Sequence, residues 1–326
     1  MRDDWQPEAS PQMLKLRAAL LHTARDYFSA AGVLEVETPV INACTVTDPQ
    51  TESLNVQLYG QNHWLRTSPE YHMKRLLAAH GEAIYQIGKV FRLGESGTNH
   101  QPEFTMIEWY RPGYTLDKMI EETCRLITQL AATAAIEIPT RQIYSYAEIY
   151  QTTCGFDPLT AGTTDIRSAA RRLLPDTLST ELEQALGDDR NVWLDLLNSH
   201  VVAPSLPAKT LCVIKDYPAE QAMLARLKPD NSAIAERFEI FLNGLELANG
   251  FCELQDADIQ AERFAADNQR RVNLDLETRE PDQALIAALL HGLPECSGVA
   301  LGLDRLLMLC SGAASVSETL SFKPGS

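Results

Sequence analysis

Three segments in a fixed order constrain this chain more than any other feature: AGVLEVETPVI at 31–41, VFRLGESGTNHQPEFTMIEWY at 90–110 and SGVALGLDRLLML at 297–309. The first closes a helical pattern. Ser10 and Pro11 supply an N-cap and a proline at the first helical position, and Met13, Leu16, Leu20, Leu21, Ala24 and Phe28 recur at helical spacing up to Gly32. Val33, Leu34 and Val36 then read as a short strand that stops at Thr38-Pro39, because proline cannot donate to a ladder. The second segment reads as two strands, 84–92 and 104–110, enclosing a loop from Gly94 to Pro102. In the third, a strand passes into a helix over Leu306 to Cys310.

Between these segments, helices are expected from Ser68-Pro69 through Glu70, Met73, Leu76 and Leu77, and from about Asp117 to Ala135. From about Gly155 to Pro207 charged helices alternate with Thr-Gly and Pro turns, which reads as a helical insertion capping one side of a single domain over 1–326. A length of 326 residues with 45% hydrophobic content suits one large core. The balance of 28 basic against 44 acidic residues gives a net charge of -16, the wrong sign for gripping a phosphate backbone unless a local basic patch is present. Seven cysteines without a C-x-x-C pair fit neither a disulfide framework nor a zinc site and read as reduced thiols. The opening MRDDWQPEAS is polar, and no run of about 18 uncharged apolar residues occurs. A soluble, cytoplasmic protein without membrane contact is expected.

The sharpest local geometry lies at 237–253. Asn243-Gly244 between two apolar runs is a strong hairpin signal and would pair 242 with 245, 241 with 246 and 239 with 248. Glu239 and Glu246 would then share one face at about 7 Å. Two carboxylates that close either hold a hard cation such as Mg2+ or lie solvated on an open sheet face. A regular pleat would send Asn249, Phe251 and Glu253 to the opposite face from Glu246, so one pocket can gather them only if the strand changes phase, with Gly250 as the candidate bulge.

In order, the three segments resemble motifs 1, 2 and 3 of the class II aminoacyl-tRNA synthetases, and TSPEYHMKRL, PEFTMIEWY and ELANGFCEL are most similar to the lysine-specific branch. The resemblance implies an α/β (α+β) catalytic fold with a central antiparallel sheet flanked by helices, a homodimer built on motif 1, and ATP with Mg2+. Joining a carboxylate to the α-phosphate of ATP needs fixed cationic donors. By resemblance Arg92 bridges carboxylate and α-phosphate, Arg305 holds the γ-phosphate, Phe104 stacks on adenine, and His100 reaches the terminal phosphates. Glu239 and Glu246 take the metal. Asn249 binds the substrate carboxylate, Phe251 packs on its stem, Glu253 and Tyr110 meet the distal ammonium, and Glu70 the proximal amine, with Glu108 completing the set. Glu108 reads equally well as a buried partner for a core arginine, and each arginine, taken alone, as one half of a surface ion pair.

Two departures matter. Where lysyl enzymes carry G-x-G-x-G in motif 3, this chain reads Gly298-Val299-Ala300-Leu301-Gly302, and the extra methyl of Ala300 should disfavour α-lysine. Motif 1 begins about thirty residues from Met1, so no anticodon-binding barrel is expected before it. Both features are similar to the ligases that attach (R)-β-lysine to a lysine of elongation factor P, which implies that factor as partner and no tRNA. In motif 2 the acid after Phe91-Arg92 is displaced to Glu95, leaving open whether Glu95 recognises adenine. A truncated synthetase charging tRNA or a metabolite with lysine, and a non-catalytic relative, are the competing classes. The first needs a basic docking surface. The second would be expected to have lost Arg92, Arg305, Glu239 or Glu246.

Overall fold

A computed structural model describes residues 5–324; residues 1–4, the start of the polar opening segment, and 325–326 lie outside them. Nine strands form one sheet, numbered here in chain order: β1 (Leu34–Glu35), β2 (Ile84–Phe91), β3 (Glu103–Pro112), β4 (Thr140–Ser145), β5 (Thr210–Pro218), β6 (Leu227–Lys228), β7 (Asn231–Leu242), β8 (Leu245–Cys252) and β9 (Cys296–Gly302). Their spatial order is β1-β2-β3-β9-β8-β7-β5-β4, with β6 on β7. Only the outermost pairs, β1 with β2 and β4 with β5, are parallel; every other pairing is antiparallel.

Side chains alternate across this sheet, and its two faces have different tasks. Ile107, Trp109, Phe238, Ile240, Val299 and Leu301 point to the main core, which is closed by helices Pro11–Ala30, Leu116–Thr133 and Leu303–Ser311. On the first helix Leu20, Ala24 and Phe28 are buried, and the Phe28 ring lies 4.3 Å from that of Tyr85 and 5.3 Å from that of Trp109. Ser10 caps that helix, its hydroxyl accepting from the Met13 N–H at 3.1 Å. The predicted strand at 33–36 shortens to Leu34–Glu35, although Val36 still donates to the Tyr85 carbonyl at 2.8 Å.

The 155–207 segment folds as helices Thr163–Leu173, Thr180–Leu186 and Arg190–Leu197 followed by shorter turns. Ile166, Trp193, Leu194 and Leu197 share one apolar cluster with Cys212, Ile214, Phe241 and Phe251 of the sheet. The insertion therefore buries its apolar side against β5, β7 and β8 rather than around a core of its own. A third cluster seats helices Glu70–His80, Ala257–Asn273 and Gln283–Gly292 near Tyr110 and Ile84.

The Asn243-Gly244 turn forms with both residues at positive φ, and Leu242 faces Leu245 and Phe241 faces Glu246 as expected. Beyond that the predicted pairing of 239 with 248 fails: Ile240 pairs with Ala248, and Glu239 with Asn249. The extra residue is Leu247, so Leu247 and Ala248 both reach the main core. Gly250 is not the bulge. It sits in register opposite Phe238 and Val299, where a Cβ would come within 2.7 Å of the Val299 Cβ and the Gly298 carbonyl.

One buried carboxylate ties the second and third motif segments to the helix that leads into the first. Asp304, at the start of the Leu303–Ser311 helix, accepts from the Thr105 N–H of β3 at 2.6 Å and pairs with Arg17 of the first helix. Asp304→Asn is expected to lower unfolding stability by about 3 kcal/mol, the scale of breaking a buried pair while its partner stays. Guanidinium denaturation measures it, and a loss below about 1 kcal/mol would make this link incidental.

Candidate active site

The phase change at Leu247 decides the site. Before it Glu246 points away from the core; after it Asn249, Phe251 and Glu253 do the same, on the face that also carries Glu239. The cross-strand register then lays out two rows. Glu239, Asn249, Ala300 and Glu108 run across β7, β8, β9 and β3, and Arg237, Phe251, Gly298 and Tyr110 run beside them. A Cβ on Gly298 would collide with the Glu253 carboxylate and the Tyr110 ring, so this glycine is fixed by close approach. Ala300 stands in the middle of the first row, between Asn249 and Glu108.

Behind these rows lies a buried charge cluster. The Lys74 ammonium is 2.5 Å from the Glu253 carboxylate and 2.7 Å from that of Glu70, and 5.5 Å from the Phe251 ring centroid. Glu108 accepts from the Ser68 and Tyr110 hydroxyls, each at 2.7 Å. Glu253 Oε1 has no hydrogen-bond partner. Burial would lower the Lys74 pKa, but Glu253 and Glu70 outweigh it and hold the ammonium charged. Burial pushes Glu253 up to about 8, against the pull of Lys74 and with the repulsion of Glu70. Burial and then Glu70 push Glu108 up to about 7. Fully ionised, three carboxylates face one ammonium, and the cluster lacks two positive charges.

Lys74 was missed by sequence reasoning. Its signal was its place four residues after Glu70, an i,i+4 ion pair on a helix whose neighbouring positions Met73 and Leu77 are buried. Among the described residues no arginine lies within ion-pair distance of Glu108, which accepts from the two hydroxyls; the buried Arg66 feels its charge only from farther away.

A cavity of about 170 Å³ lies at the motif 2 and motif 3 end. Arg92, Glu95, His100, Phe104, Glu246 and Arg305 line it, and it reaches Asn249 and Ala300. The Arg92 guanidinium is 5.2 Å from the Phe104 ring centroid and 3.4 Å from Glu95. Arg305 donates to the Glu246 carbonyl at 2.9 Å, lies 3.4 Å from its carboxylate, and meets His100 Nε2 at 2.6 Å. Burial, then the Arg305 charge, lowers the His100 pKa, so the ring is neutral at pH 7.

Glu239 is buried and paired with Arg237 at 2.5 Å; burial raises its carboxyl to about 7 against the pull of Arg237. Among the described residues no group of three or more His, Cys, Asp or Glu is arranged around a metal position. Glu239 and Glu246 therefore fit only an ion that draws most of its ligands from phosphate and water, which is the habit of Mg2+.

A second cavity, about 580 Å³, adjoins the first and shares Thr51, Arg92 and Met223 with it. Ser68 and Glu70 line one part of it, and Asn191 and Asp195 of the insertion another. Glu108, Tyr110, Phe251 and Glu253 line neither cavity; they lie buried with Lys74.

The family described as tRNA synthetases class II (D, K and N) matches residues 4–324. A Haemophilus influenzae (strain PittGG) protein named "Elongation factor P--(R)-beta-lysine ligase" is 41% identical over 324 residues, 98% of this chain and 97% of that protein. Proteins of the same name from Histophilus somni (strain 2336) and Pasteurella multocida (strain Pm70) are 41% and 40% identical, covering 99% and 98% of this chain and 98% of each relative.

With both carboxyls above their ordinary values, Glu108 and Glu253 are neutral at low pH, and a ligand ammonium must expel a proton to use them. Affinity for a diamine amino acid should therefore rise by about tenfold or more between about pH 6 and about pH 8.5, read from KM in pyrophosphate exchange. A KM flat over that window would contradict the raised values.

Proposed function

The chain belongs to the class II tRNA synthetases of the D, K and N group, and we propose from that premise that it is the ATP-dependent ligase that activates (R)-β-lysine and transfers it to a lysine side chain of elongation factor P. The observation that carries this reading is the buried cluster of Glu70, Glu108 and Glu253 with Lys74, short of two positive charges and set beside a cavity that holds Arg92 and Arg305. When both raised carboxyls ionise, a substrate with two ammonium groups balances the cluster.

In this reading the diamine opens the buried cluster from the Ser68 and Glu70 part of the larger cavity, putting its distal ammonium against Glu253 and Tyr110, its proximal amine near Glu70, and its stem along Phe251, with Glu108 adding charge from the neighbouring row. Its carboxylate meets Asn249 and Arg92. ATP stacks its adenine on Phe104, with Glu95 at the base and His100 and Arg305 at the terminal phosphates. Glu239 and Glu246 would hold Mg2+, which would supply charge neutralisation at the phosphates. The substrate carboxylate oxygen attacks the α-phosphorus, a new P–O bond forms, and pyrophosphate leaves. The acceptor amine then attacks the carbonyl carbon; the C–N bond forms as the C–O bond to AMP breaks, and the nitrogen loses its surplus protons to solvent. Arg92 stabilises charge on phosphorus in the first step through its fixed donor fork.

The homodimer of the family is proposed for this chain too, with Leu34 of β1 54% exposed beside the first helix and available to a second copy. The net charge of -16 favours a protein acceptor over tRNA. All seven cysteines are free, six of them buried, which suits a reducing cytoplasm. No helix of the described residues is long and apolar enough to cross a membrane.

Incubating elongation factor P with this protein, ATP and (R)-β-lysine should add one lysyl unit to its intact mass, and an unchanged mass with exchange intact would remove the factor as acceptor. Arg92→Ala is expected to lower pyrophosphate exchange by at least about a thousandfold, and near-parental exchange would refute its role. Ala300→Gly should raise the use of α-lysine relative to the β isomer by about tenfold, and an unchanged ratio would refute the steric reading.

A further inference from the structure

The first half-reaction leaves much of the larger cavity unused. The acyl carbon forms where carboxylate meets α-phosphate, at Arg92, and Arg92 lies on both cavities. In the ligase reading ATP binds at the smaller one, against Phe104, His100 and Arg305. The larger one offers the diamine only its Ser68 and Glu70 part, and continues to Asp48, Gln50, Asp195, Gln221 and Gln260.

That far wall holds unmatched polar groups. Gln221 and Gln260 are 8% and 1% exposed, yet Gln221 Oε1 and Gln260 Nε2 have no hydrogen-bond partner among the described residues. A buried acceptor and a buried donor left unpaired are costly, and their presence on a cavity wall points to a ligand carrying both kinds of group. The carboxylates of the wall are available as well. Asp195 accepts from Gln221 Nε2 at 2.9 Å and Gln50 Nε2 at 3.3 Å, and Asp48 from the Gln50 N–H and the Thr51 hydroxyl, each at 3.0 Å. Every one of these donors is neutral. The nearby arginines are committed elsewhere: Arg237 to Glu239, Arg270 to Asp267, and Arg263 to the Met223 and Ala225 carbonyls. Asp195 lines the cavity with its surface exposed, and desolvation raises its carboxyl above the ordinary range against the longer-range pull of Arg237.

We infer that this wall is the acceptor subsite: it takes a lysine side chain with the peptide segment that carries it, guiding the ammonium past Asp48 and Asp195 toward Arg92 while peptide groups pair with Gln221 Oε1 and Gln260 Nε2. The inference rests on the ligase reading and deepens it. The ammonium loses one proton to solvent before its nitrogen attacks the adenylate carbonyl. The second leaves as the amide forms and AMP departs with the C–O bond electrons. The insertion thereby gains a role, since Asp195 belongs to its Arg190–Leu197 helix.

The test separates the two half-reactions in Asp195→Asn and Asp48→Asn, which keep side-chain shape. Pyrophosphate exchange with (R)-β-lysine, and trapping of the adenylate by hydroxylamine, should stay within about twofold of the parent, which also shows that the variants fold. KM for elongation factor P should rise by at least about tenfold. An unchanged KM for the factor in both variants, or exchange falling in parallel with transfer, would overturn the subsite. If the parent protein itself fails to modify the factor while exchanging pyrophosphate, the ligase reading loses its acceptor. The subsite is then judged on the same variants with Nα-acetyl-lysinamide as acceptor, and an unchanged KM for it overturns the proposal.

Discussion

One extra residue in β8 organises everything around it. With Leu247 and Ala248 both turned to the core, the strand presents Glu246 before the bulge and Asn249, Phe251 and Glu253 after it to the same side. Without that phase change, Glu246 and the three later residues would lie on opposite faces and could not serve one site. The bulge costs a ladder position. Paired strands on both sides, β7 and β9, hold it in place.

The second constraint is electrostatic. Burying two carboxylates and one ammonium, with a third carboxylate at the cavity edge, is unfavourable, and the fold maintains it by packing Lys74 between Glu70 and Glu253 and by giving Glu108 two hydroxyl donors. In the proposed reading an arriving diamine would supply the missing charge and lower the carboxyl pKa values as it binds. The same logic recurs on a smaller scale where Arg237 holds Glu239 and Arg305 contacts Glu246, cations standing beside the carboxylates that a metal would use.

Much of this was legible in the sequence because it was local or periodic. The Ser10-Pro11 cap, the Asn243-Gly244 turn and the strand-to-helix passage before Arg305 are each written within a few residues, and they fold as read. The need for a phase change was legible from the alternation of Glu246, Asn249 and Glu253. Its position was not: Gly250 carried the usual composition of a bulge, whereas Leu247 took it because a leucine can be buried on the core side and Gly250 was already needed for close packing. The packing of the insertion against β7 and β8 could not be seen either, since its partners there, Phe241 and Phe251, lie far along the chain. Lys74 escaped notice because a lysine on an amphipathic helix ordinarily points to water, and only tertiary contacts show that it is 1% exposed.

The measurement that tests the account most directly is pyrophosphate exchange with (R)-β-lysine, α-lysine and 3-aminohexanoate, which keeps the β-amino acid and lacks the distal ammonium. A cluster built for two ammonium groups should use (R)-β-lysine best and reject 3-aminohexanoate by at least about a thousandfold in kcat/KM, as sites with buried charged partners reject analogues that leave them unpaired. Comparable exchange with 3-aminohexanoate would mean that Glu253 and Lys74 stand outside the substrate pocket, and the reading built on them would fall.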